Sequence, residues 1–280
     1  MKEYDKKTLH KLQKVELDIL KDFIKICDEN NLEYFGLAGT GIGVMRHKGF
    51  IPWDDDIDVG LLRDDYEKFL KIAEQELSDK YIVMNGRKNS NYPLMTTRLM
   101  KKGTKFREYT LKDIDCELGI FLDIYPLDYV SDCKFKFFKQ GLKSFIFSKL
   151  IILRSIPFPY VPYTGIKKKI VYVITGMAYG CLCLFGISKK WLHRMCEQAM
   201  IENNAEESSR VTFFGDTTPY MEMINLKDLF PLKKMLFEDM YIKMPNNMDP
   251  YLTNLFGNYM EMPPVEKRKN HFPYELDFGE

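Results

Sequence analysis

Three aspartates alternate with other residues in the segment Trp53–Gly60, which reads WDDDIDVG. Successive side chains of an extended chain point to opposite faces, so Asp54, Asp56 and Asp58 are expected to share one face. Carboxylates this close together repel one another and raise one another's pKa unless a cation neutralises them. Because every donor is an oxygen, the segment predicts a site for Mg²⁺ or Mn²⁺ rather than for zinc.

Two other interpretations of the acidic segment compete with this one. An EF-hand calcium loop is excluded, because its turn glycine would fall at Val59 and its bidentate glutamate at Asp65. A solvated acidic turn is the second alternative. The alternation of Ile57 and Val59 with the acids favours a strand that leaves a hydrophobic core.

A further carboxylate lies in the apolar run GIFLDIYPLD, where Asp123 is flanked by Ile, Phe and Leu. A carboxylate on a buried strand is costly unless it is paired or bound to a metal ion. We therefore expect Asp123 to complete the metal site. Asp128 follows Pro126 and is expected to lie in a turn or to cap a helix.

A glycine-rich stretch, GLAGTGIG at 36–43, lies where a predicted strand meets a short helix. Backbone N–H groups in such a turn can bind phosphate, assisted by the helix N-terminus. The stretch matches neither the Walker A pattern nor the dinucleotide fingerprint. Its position just before the aspartates indicates a phosphate-containing substrate next to the metal.

Basic residues near the acidic segment are candidates for binding the phosphates of an anionic, metal-chelated substrate. We expect Arg46, Lys48 and Arg98 to serve as such substrate-binding residues. Arg98 and Lys101 could equally be solvated surface residues. His47 is interpreted as structural.

The secondary-structure pattern predicts an α+β fold, a mixed sheet core flanked by helices. The chain has 280 residues, of which 45% are apolar and 29% charged, as expected for a globular protein with a sizeable core. We expect one domain over 1–280 that contains an inserted segment at 133–196. The tail from Phe213 is expected to wrap back as short helices and loops. The other predicted elements are a helix at 8–30, a strand at 32–37, a helix at 63–77 and short strands at 81–130.

The charge is unevenly distributed, although the net charge is only +1. Residues 133–196 contain twelve Lys or Arg and no acidic residue, and Ile170–Ile187 is an uncharged stretch between lysine clusters. This pattern predicts a basic, apolar helix or helical hairpin on an anionic membrane surface. A buried helix and a membrane span are the alternatives. The near-neutral total argues against a nucleic-acid partner.

The six cysteines have no zinc-site spacing and are expected to be mostly buried thiols. The first twenty residues carry charges throughout and do not look like a secretory signal. We therefore expect a cytoplasmic protein that is peripheral at the inner face of the cell membrane.

The run AGTGIGVMRHKGFIPWDDDIDVGLLRDDYEKF resembles the signature of the LicD-type phosphotransferases, the group that includes fukutin-related proteins. GIFLDIYPLD and FGNYMEMPPVEKRKNH are similar to its second and closing blocks. The resemblance implies a nucleotidyltransferase-like fold, with Gly39 and Thr40 in the turn, Asp56 and Asp58 as the D-x-D pair and Asp123 as the third catalytic and metal-binding acid. Lys267, Arg268 and His271 match the closing block and receive no role.

The same resemblance implies transfer of phosphocholine, or a related phospho-alcohol, from a CDP-activated donor such as CDP-choline. The acceptor would be a sugar hydroxyl of a surface glycan, such as lipopolysaccharide or teichoic acid, or of its lipid-linked precursor. One alternative is a nucleotidyltransferase that moves a nucleotide to a phosphate or hydroxyl. Another is a non-catalytic adaptor that docks on membranes.

Overall fold

The computed structural model describes residues 3–161, 164–206, 208–215, 220 and 222–279. The helices are α1 (Lys6–Glu29), α2 (Ala38–Ile42), α3 (Arg63–Glu76), α4 (Lys134–Ser155), α5 (Gly165–Leu184), α6 (Lys189–Met200), α7 (Leu226–Leu229) and α8 (Asp249–Phe256). The strands are β1 (Tyr34–Gly36), β2 (Asp58–Leu62), β3 (Tyr81–Met84), β4 (Thr97–Lys101), β5 (Lys105–Glu108), β6 (Phe121–Tyr129), β7 (Arg210–Thr212), β8 (Ile224–Asn225), β9 (Lys233–Phe237), β10 (Met240–Met244) and β11 (Pro273–Asp277). The expected α+β class is confirmed.

The central sheet has the strand order β1-β2-β6-β4-β3. β2 and β6 run parallel, whereas β1 pairs antiparallel with β2 and β4 pairs antiparallel with both β6 and β3. The sheet is therefore mixed. Short antiparallel pairings add β7 to the end of β6 and β8 to β7.

Helix α1 covers the main core with an apolar stripe that includes Leu12, Ile19, Leu20 and Phe23, all fully buried. These residues recur at three- and four-residue steps, the spacing of one helix face. Glu16 stands on the same face, four residues from Leu12, and is also fully buried. The helix thus brings a carboxylate into the protein interior.

Asp128 does not occupy the turn or helix cap that was expected. It lies inside β6, is fully buried, and accepts hydrogen bonds from the Arg63 guanidinium, with Nε at 2.8 Å from Oδ1. Pro126 does not end the strand, because the pairing of β6 with β4 stops at Ile124 and that with β7 begins at Asp128. The proline falls between the two pairings, where its missing N–H is tolerated.

The tail contains more strand than expected. β9 and β10 form an antiparallel hairpin, and β11 pairs with β5, so the last strand is joined to a segment from the middle of the chain. The expected short helices are present as α7 and α8, whereas the strands of the tail were not expected. The β9–β10 hairpin forms because buried and more exposed side chains alternate in the segment KKMLFEDMYIKM, whose Phe237, Ile242 and Met244 are buried.

The basic segment 133–196 contains α4, α5 and most of α6. α6 is buried on one face, with Leu192 and Cys196 in a second apolar cluster that also contains Ile151 of α4. α5 has one buried residue, Leu182, and its other residues are exposed or half-buried. The alternative of a buried helix at 170–187 is therefore wrong.

Some of the basic residues have acidic partners from outside the segment. Lys139 and Lys143 each form an ion pair with Glu202, and Lys136 pairs with Glu206. Within the described residues, the lysines at 167–169 form no ion pair. Three consecutive lysines without an acidic partner in the described part of the chain therefore stand at the start of α5.

The described part of the chain contains no single helix that is both long and apolar enough to cross a membrane. Helices α5 and α6 satisfy the length and composition test together but are bent by 99°. The expectation of mostly buried thiols holds for half of the cysteines. Cys27, Cys116 and Cys196 are buried, and the exposed ones are Cys133, Cys181 and Cys183.

Candidate active site

The strand register brings three of the charged residues together. Parallel pairing places Asp58 of β2 opposite Asp123 of β6, and antiparallel pairing places Arg98 of β4 opposite the same Asp123. Residues opposite one another in a sheet have side chains on the same face. Asp58, Asp123 and Arg98 therefore form a row across three neighbouring strands.

The glycine-rich turn lies directly against this row. The Thr40 hydroxyl oxygen accepts a hydrogen bond of 2.8 Å from the main-chain N–H of Asp58, which fixes the turn to the start of β2. A Cβ atom added at Gly39 would lie 2.9 Å from Asp54 Oδ2 and 4.0 Å from Asp58 Oδ2. Glycine at position 39 thus keeps space open beside the two carboxylates.

The carboxylates line a cavity of about 610 Å³. Asp54, Asp56 and Asp58 all face it, as the alternation in the sequence predicts. Asp55 is not among the lining residues; it is fully buried and accepts a hydrogen bond of 2.7 Å from the Tyr4 hydroxyl. The cavity also has basic lining residues, which are Arg46, Lys267, Arg268, Lys269 and His271. Negative and positive groups therefore face one shared space.

Burial and mutual repulsion raise the pKa values of the acids. For Asp54 and Asp58, burial is the largest cause and the neighbouring carboxylates add to it. Burial likewise raises the pKa of Asp56 to about 6, against an opposing effect of His271. The pKa of Asp123 is raised by burial, although the nearby Arg98 lowers it. The cluster lacks enough positive charge to hold all of these acids ionised.

His271 supplies part of the compensating charge. Its Nδ1 lies 3.2 Å from Asp56 Oδ2 and 3.4 Å from Asp55 Oδ1, and its main-chain N–H donates to Asp55. The carboxylate of Asp56 is the main cause that raises the pKa of His271 well above its usual value, against the effect of burial. The imidazole is therefore expected to be protonated.

Asp55, Asp56 and His271 have ligand atoms that all lie within 4.8 Å of one another, close enough for a metal ion. Asp55, however, already accepts hydrogen bonds from the Tyr4 hydroxyl and from the backbone N–H of His271, so part of its ligand capacity is in use. The cavity-facing acids Asp54, Asp56 and Asp58 offer the oxygen donors that a hard divalent cation prefers, although their ligand atoms do not all lie within 4.8 Å of one another in the described structure.

The predicted trio Asp56, Asp58 and Asp123 is only partly brought together. Its ligand atoms do not all approach within 4.8 Å in the described structure, and Asp123 is absent from the cavity lining. Asp58 and Asp123 are nonetheless register partners, and each is only 6% exposed. The Tyr125 hydroxyl donates to Asp58 Oδ1 at 3.0 Å, which orients this carboxylate.

Arg98 is not a surface residue, because it is 3% exposed. Its guanidinium donates to Asp123 Oδ1 at 3.2 Å and to Glu108 Oε2 at 3.0 Å, and it lies over the Phe121 ring. The structure places it behind Asp123 rather than at the cavity surface. The ion pairs with Asp123 and Glu108 therefore account for the buried position of Arg98.

The other predicted basic residues occupy different places. Arg46 lines the cavity, and its Nη1 donates to the main-chain carbonyl of Tyr259 at 2.6 Å, which fixes a loop of the cavity wall. His47 Nε2 accepts from Arg46 Nε at 2.9 Å, consistent with a structural role. Lys48 is exposed, and it is not part of the cavity lining.

Several residues around the site were not anticipated. Tyr4 and Tyr125 hold Asp55 and Asp58, and Lys269 lines the cavity. Glu16 is close enough to Asp54, Asp55 and Asp56 that these acids help to raise its pKa, after the larger effect of burial. A signal for Glu16 was present, because a glutamate on the apolar face of α1 is expected to have a polar environment.

The family model described as "LicD/FKTN/FKRP, nucleotidyltransferase domain" matches residues 31–163. This range contains the glycine-rich turn and every cavity-facing aspartate. Residues 31–163 are a LicD-family domain. Over 301 aligned residues the chain is 26% identical to the lipopolysaccharide cholinephosphotransferase LicD of Haemophilus influenzae, covering 95% of this chain and 96% of that protein.

Two shorter similarities each cover about a fifth of the chain. A segment of 57 residues is 39% identical to an uncharacterised protein of Rickettsia typhi, covering 20% of this chain and 18% of that protein. A protein of Rickettsia prowazekii is 37% identical over the same length. The LicD resemblance stated from the signature blocks is thus confirmed, and the similarity to the Haemophilus protein extends along nearly the whole chain.

Proposed function

We propose that this LicD-family protein transfers phosphocholine from CDP-choline, or a related phospho-alcohol from another CDP-alcohol, to a sugar hydroxyl of a surface glycan or its lipid-linked precursor. The observation that carries the proposal is the cavity in which Asp54, Asp56 and Asp58 face basic residues. Support comes from the similarity to a lipopolysaccharide cholinephosphotransferase along nearly the full length of both chains.

In this proposal Asp56 and Asp58 hold Mg²⁺ or Mn²⁺, with Asp54 and Asp123 as the nearby further carboxylates. The bound cation would supply charge neutralisation on the diphosphate of the donor. The raised pKa values of Asp54, Asp56 and Asp58 support this assignment, because burial and, after it, mutual repulsion raise them, and a cation would stabilise the ionised carboxylates. Gly39 leaves room beside these carboxylates, and Thr40 holds the start of β2.

The basic residues of the cavity wall bind the phosphate oxygens. Arg46, Lys267 and Arg268 line the same space as the aspartates and offer charge-assisted hydrogen bonds. Arg268 lies over the Trp53 ring at 4.2 Å from its centroid, an arrangement that restricts its orientation. Lys48 is outside the lining, so its proposed contact would require a substrate that extends beyond the cavity.

The chemical step is an in-line substitution at phosphorus. The acceptor oxygen forms a bond to the phosphorus that carries choline, the bond from that phosphorus to the bridging oxygen breaks, and CMP leaves with the electron pair. Asp123 is the proposed base for the proton of the acceptor hydroxyl, and this role requires the acceptor to pass Asp58 and reach a carboxylate outside the cavity lining. Burial raises its pKa, which makes it a stronger base, and its bonds to Arg98 hold it in position.

The experiment that tests the proposal is incubation with CDP-choline, CDP-ribitol and CDP-glycerol, with and without Mg²⁺, in the presence of a membrane glycolipid extract. Mg²⁺-dependent release of CMP from one donor is the expected result. Release of pyrophosphate from a nucleoside triphosphate would favour the nucleotidyltransferase alternative. No turnover and no metal binding by calorimetry would favour the adaptor.

We further propose that the protein works on the inner face of the cell membrane, docked through α5. Large apolar side chains of α5 recur at three- and four-residue steps and are exposed, up to 83% for Leu184. They are Ile166, Ile170, Val173, Ile174, Met177 and Leu184. The adjoining lysines at 167–169 would contact anionic headgroups, the pattern of a helix that lies in the interface.

A further inference from the structure

A second cavity, of about 470 Å³, adjoins the acidic one. His271 lines both, so the two spaces meet at this side chain. The second cavity is lined by aromatic and polar residues from three separate parts of the chain, namely Glu108, Tyr109, Thr110, Tyr160, Asn270, His271 and Phe272. A short ligand group attached to a phosphate in the acidic cavity could therefore extend into it.

Three of the lining residues are aromatic. The Phe272 ring packs against Tyr4 at 4.7 Å between centroids, and the Tyr109 ring packs against Tyr274 at 5.5 Å. These contacts restrict the orientation of the Phe272 and Tyr109 rings, which form two walls of the cavity. Tyr160 is 69% exposed and comes from the segment between α4 and α5, so the basic insertion contributes the third wall.

Each of the two charged lining groups already has partners of opposite charge outside the second cavity. Glu108 is held by Arg98, and His271 lies between Asp55 and Asp56. The described lining residues therefore offer no unpaired counter-ion to a charged ligand. A quaternary ammonium needs neither a counter-ion in direct contact nor a hydrogen-bond partner, and the faces of aromatic rings attract it.

We propose that this cavity binds the trimethylammonium group of choline. The assignment rests on the proposed function, because it assumes a phosphocholine donor whose diphosphate lies by the acidic cavity. Tyr109, Tyr160 and Phe272 then supply the aromatic faces. These residues become the determinants of which alcohol is transferred, and an uncharged alcohol such as ribitol or glycerol gains no cation–π attraction there.

The decisive comparison uses CDP-choline and the CDP ester of 3,3-dimethylbutan-1-ol, in which carbon replaces the quaternary nitrogen. The two donors have nearly the same shape and differ in charge. For the wild type we expect a lower KM for CDP-choline. Tyr109→Leu and Tyr160→Leu should each reduce this preference about three- to tenfold, the loss of one aromatic face.

Two control variants separate the aromatic contribution from general damage. Tyr160→Phe keeps the ring and should keep the preference. Tyr241→Leu replaces a tyrosine that is exposed to a similar degree on β10 and should leave both KM values unchanged. If the wild type turns over CDP-choline and both leucine variants keep its full preference over the uncharged ester, the cavity assignment is wrong while the proposed function stands.

A binding measurement keeps the test independent of turnover. Saturation-transfer NMR with tetramethylammonium should give a signal with the full-length wild type that falls at least threefold in the Tyr109→Leu, Tyr160→Leu double variant. An equal signal from the two proteins, or no signal from the wild type, would overturn the assignment. A signal lost in the double variant, together with no release of CMP from any donor, would support the cavity and reject the proposed reaction.

Discussion

Asp58 and Asp123 are register partners on the neighbouring parallel strands β2 and β6. The two carboxylates thus meet across the sheet although 65 positions separate them in the chain. Burial is the largest cause that raises the pKa of Asp58, and the carboxylates of Asp56 and Asp123 add to it. A divalent cation beside Asp58 would oppose this shift. The relationship leads to specific expectations for variants of the site.

Asp58→Asn should abolish turnover without unfolding the protein. We expect CMP release to fall at least about a hundredfold, since changes around a metal site that spare its ligands already cost about 10- to 100-fold. The metal-free variant should melt at or above the wild-type temperature, because a neutral amide removes repulsion from Asp54, Asp56 and Asp123. CMP release and a thermal melt provide the two readouts, and near-normal turnover would remove Asp58 from the proposed mechanism.

The free energy of unfolding of the metal-free protein should fall as the pH rises from about 4 to about 6. Asp56 has a folded-state pKa of about 6 compared with 3.8 unfolded, so the folded state binds more protons in this window. Protonated His271 acts in the same direction, since its stabilising contribution is lost as the pH rises through its raised folded-state pKa. Urea unfolding in EDTA at pH 5 and pH 8 measures the effect.

Adding Mg²⁺ at pH 8 should restore stability to the wild type and do so much less for Asp58→Asn, because a ligand stabilises the state that binds it. An Mg²⁺ effect of equal size in the two proteins would place the cation elsewhere.

Gly39→Ala should reduce kcat/KM about ten- to a hundredfold, because its Cβ would approach Asp54 Oδ2 to 2.9 Å and displace a carboxylate of the cavity. The matched control is Gly180→Ala on α5, where a new Cβ meets nothing within 4 Å. Both variants should fold, since neither glycine has a positive φ. Steady-state kinetics and a thermal melt distinguish the outcomes, and unchanged kinetics in Gly39→Ala would count against a substrate beside this glycine.

Arg98→Met should destabilise the protein by about 3–5 kcal/mol, because it leaves the buried carboxylates of Asp123 and Glu108 without their partner. Lys105→Met, which breaks the exposed pair with Glu275, is the control and should change stability little. Urea unfolding at pH 7 measures both. A small effect of Arg98→Met would mean that the two acids are neutral in the folded protein.

Replacing the three lysines at 167–169 by glutamine should weaken binding to vesicles that contain phosphatidylglycerol about 100-fold. The triple change of Ile170, Ile174 and Met177 to serine should weaken it too, since it removes exposed apolar side chains. Leu236→Ser on the β9–β10 hairpin is the exposed apolar control. Co-sedimentation measures binding. If the serine variant instead dissociates a dimer in sedimentation velocity while still binding vesicles, α5 is an interface between copies.

Local sequence patterns predicted much of the acidic site. The alternation around Ile57 predicted that Asp54, Asp56 and Asp58 face one space, and the apolar run around Asp123 predicted a buried strand. The first inference depends on a two-residue period, which tertiary structure preserves once one face of a strand is buried. The second depends on a continuous apolar run, which is typical of a strand buried on both faces.

The partners of these residues could not be predicted in the same way. Arg98 lies in a run that resembles a charged surface, and its burial depends on Glu108 and Asp123, which the fold brings to it from β5 and β6. Tyr4 reaches Asp55 across 51 positions. Such contacts are set by the packing of whole elements, and a local pattern carries no information about them.

The most direct test of the central claim follows the choline group itself. CDP-choline with isotopically labelled methyl groups is incubated with the wild type, Mg²⁺ and a glycolipid acceptor, and both the acceptor and the released nucleotide are analysed by mass spectrometry. We expect labelled phosphocholine on the acceptor in equal amount to CMP, and neither product with Asp58→Asn or EDTA. Cytidylyl groups on the acceptor, or an acceptor that remains unlabelled while the wild type is folded and binds Mg²⁺, would contradict the account.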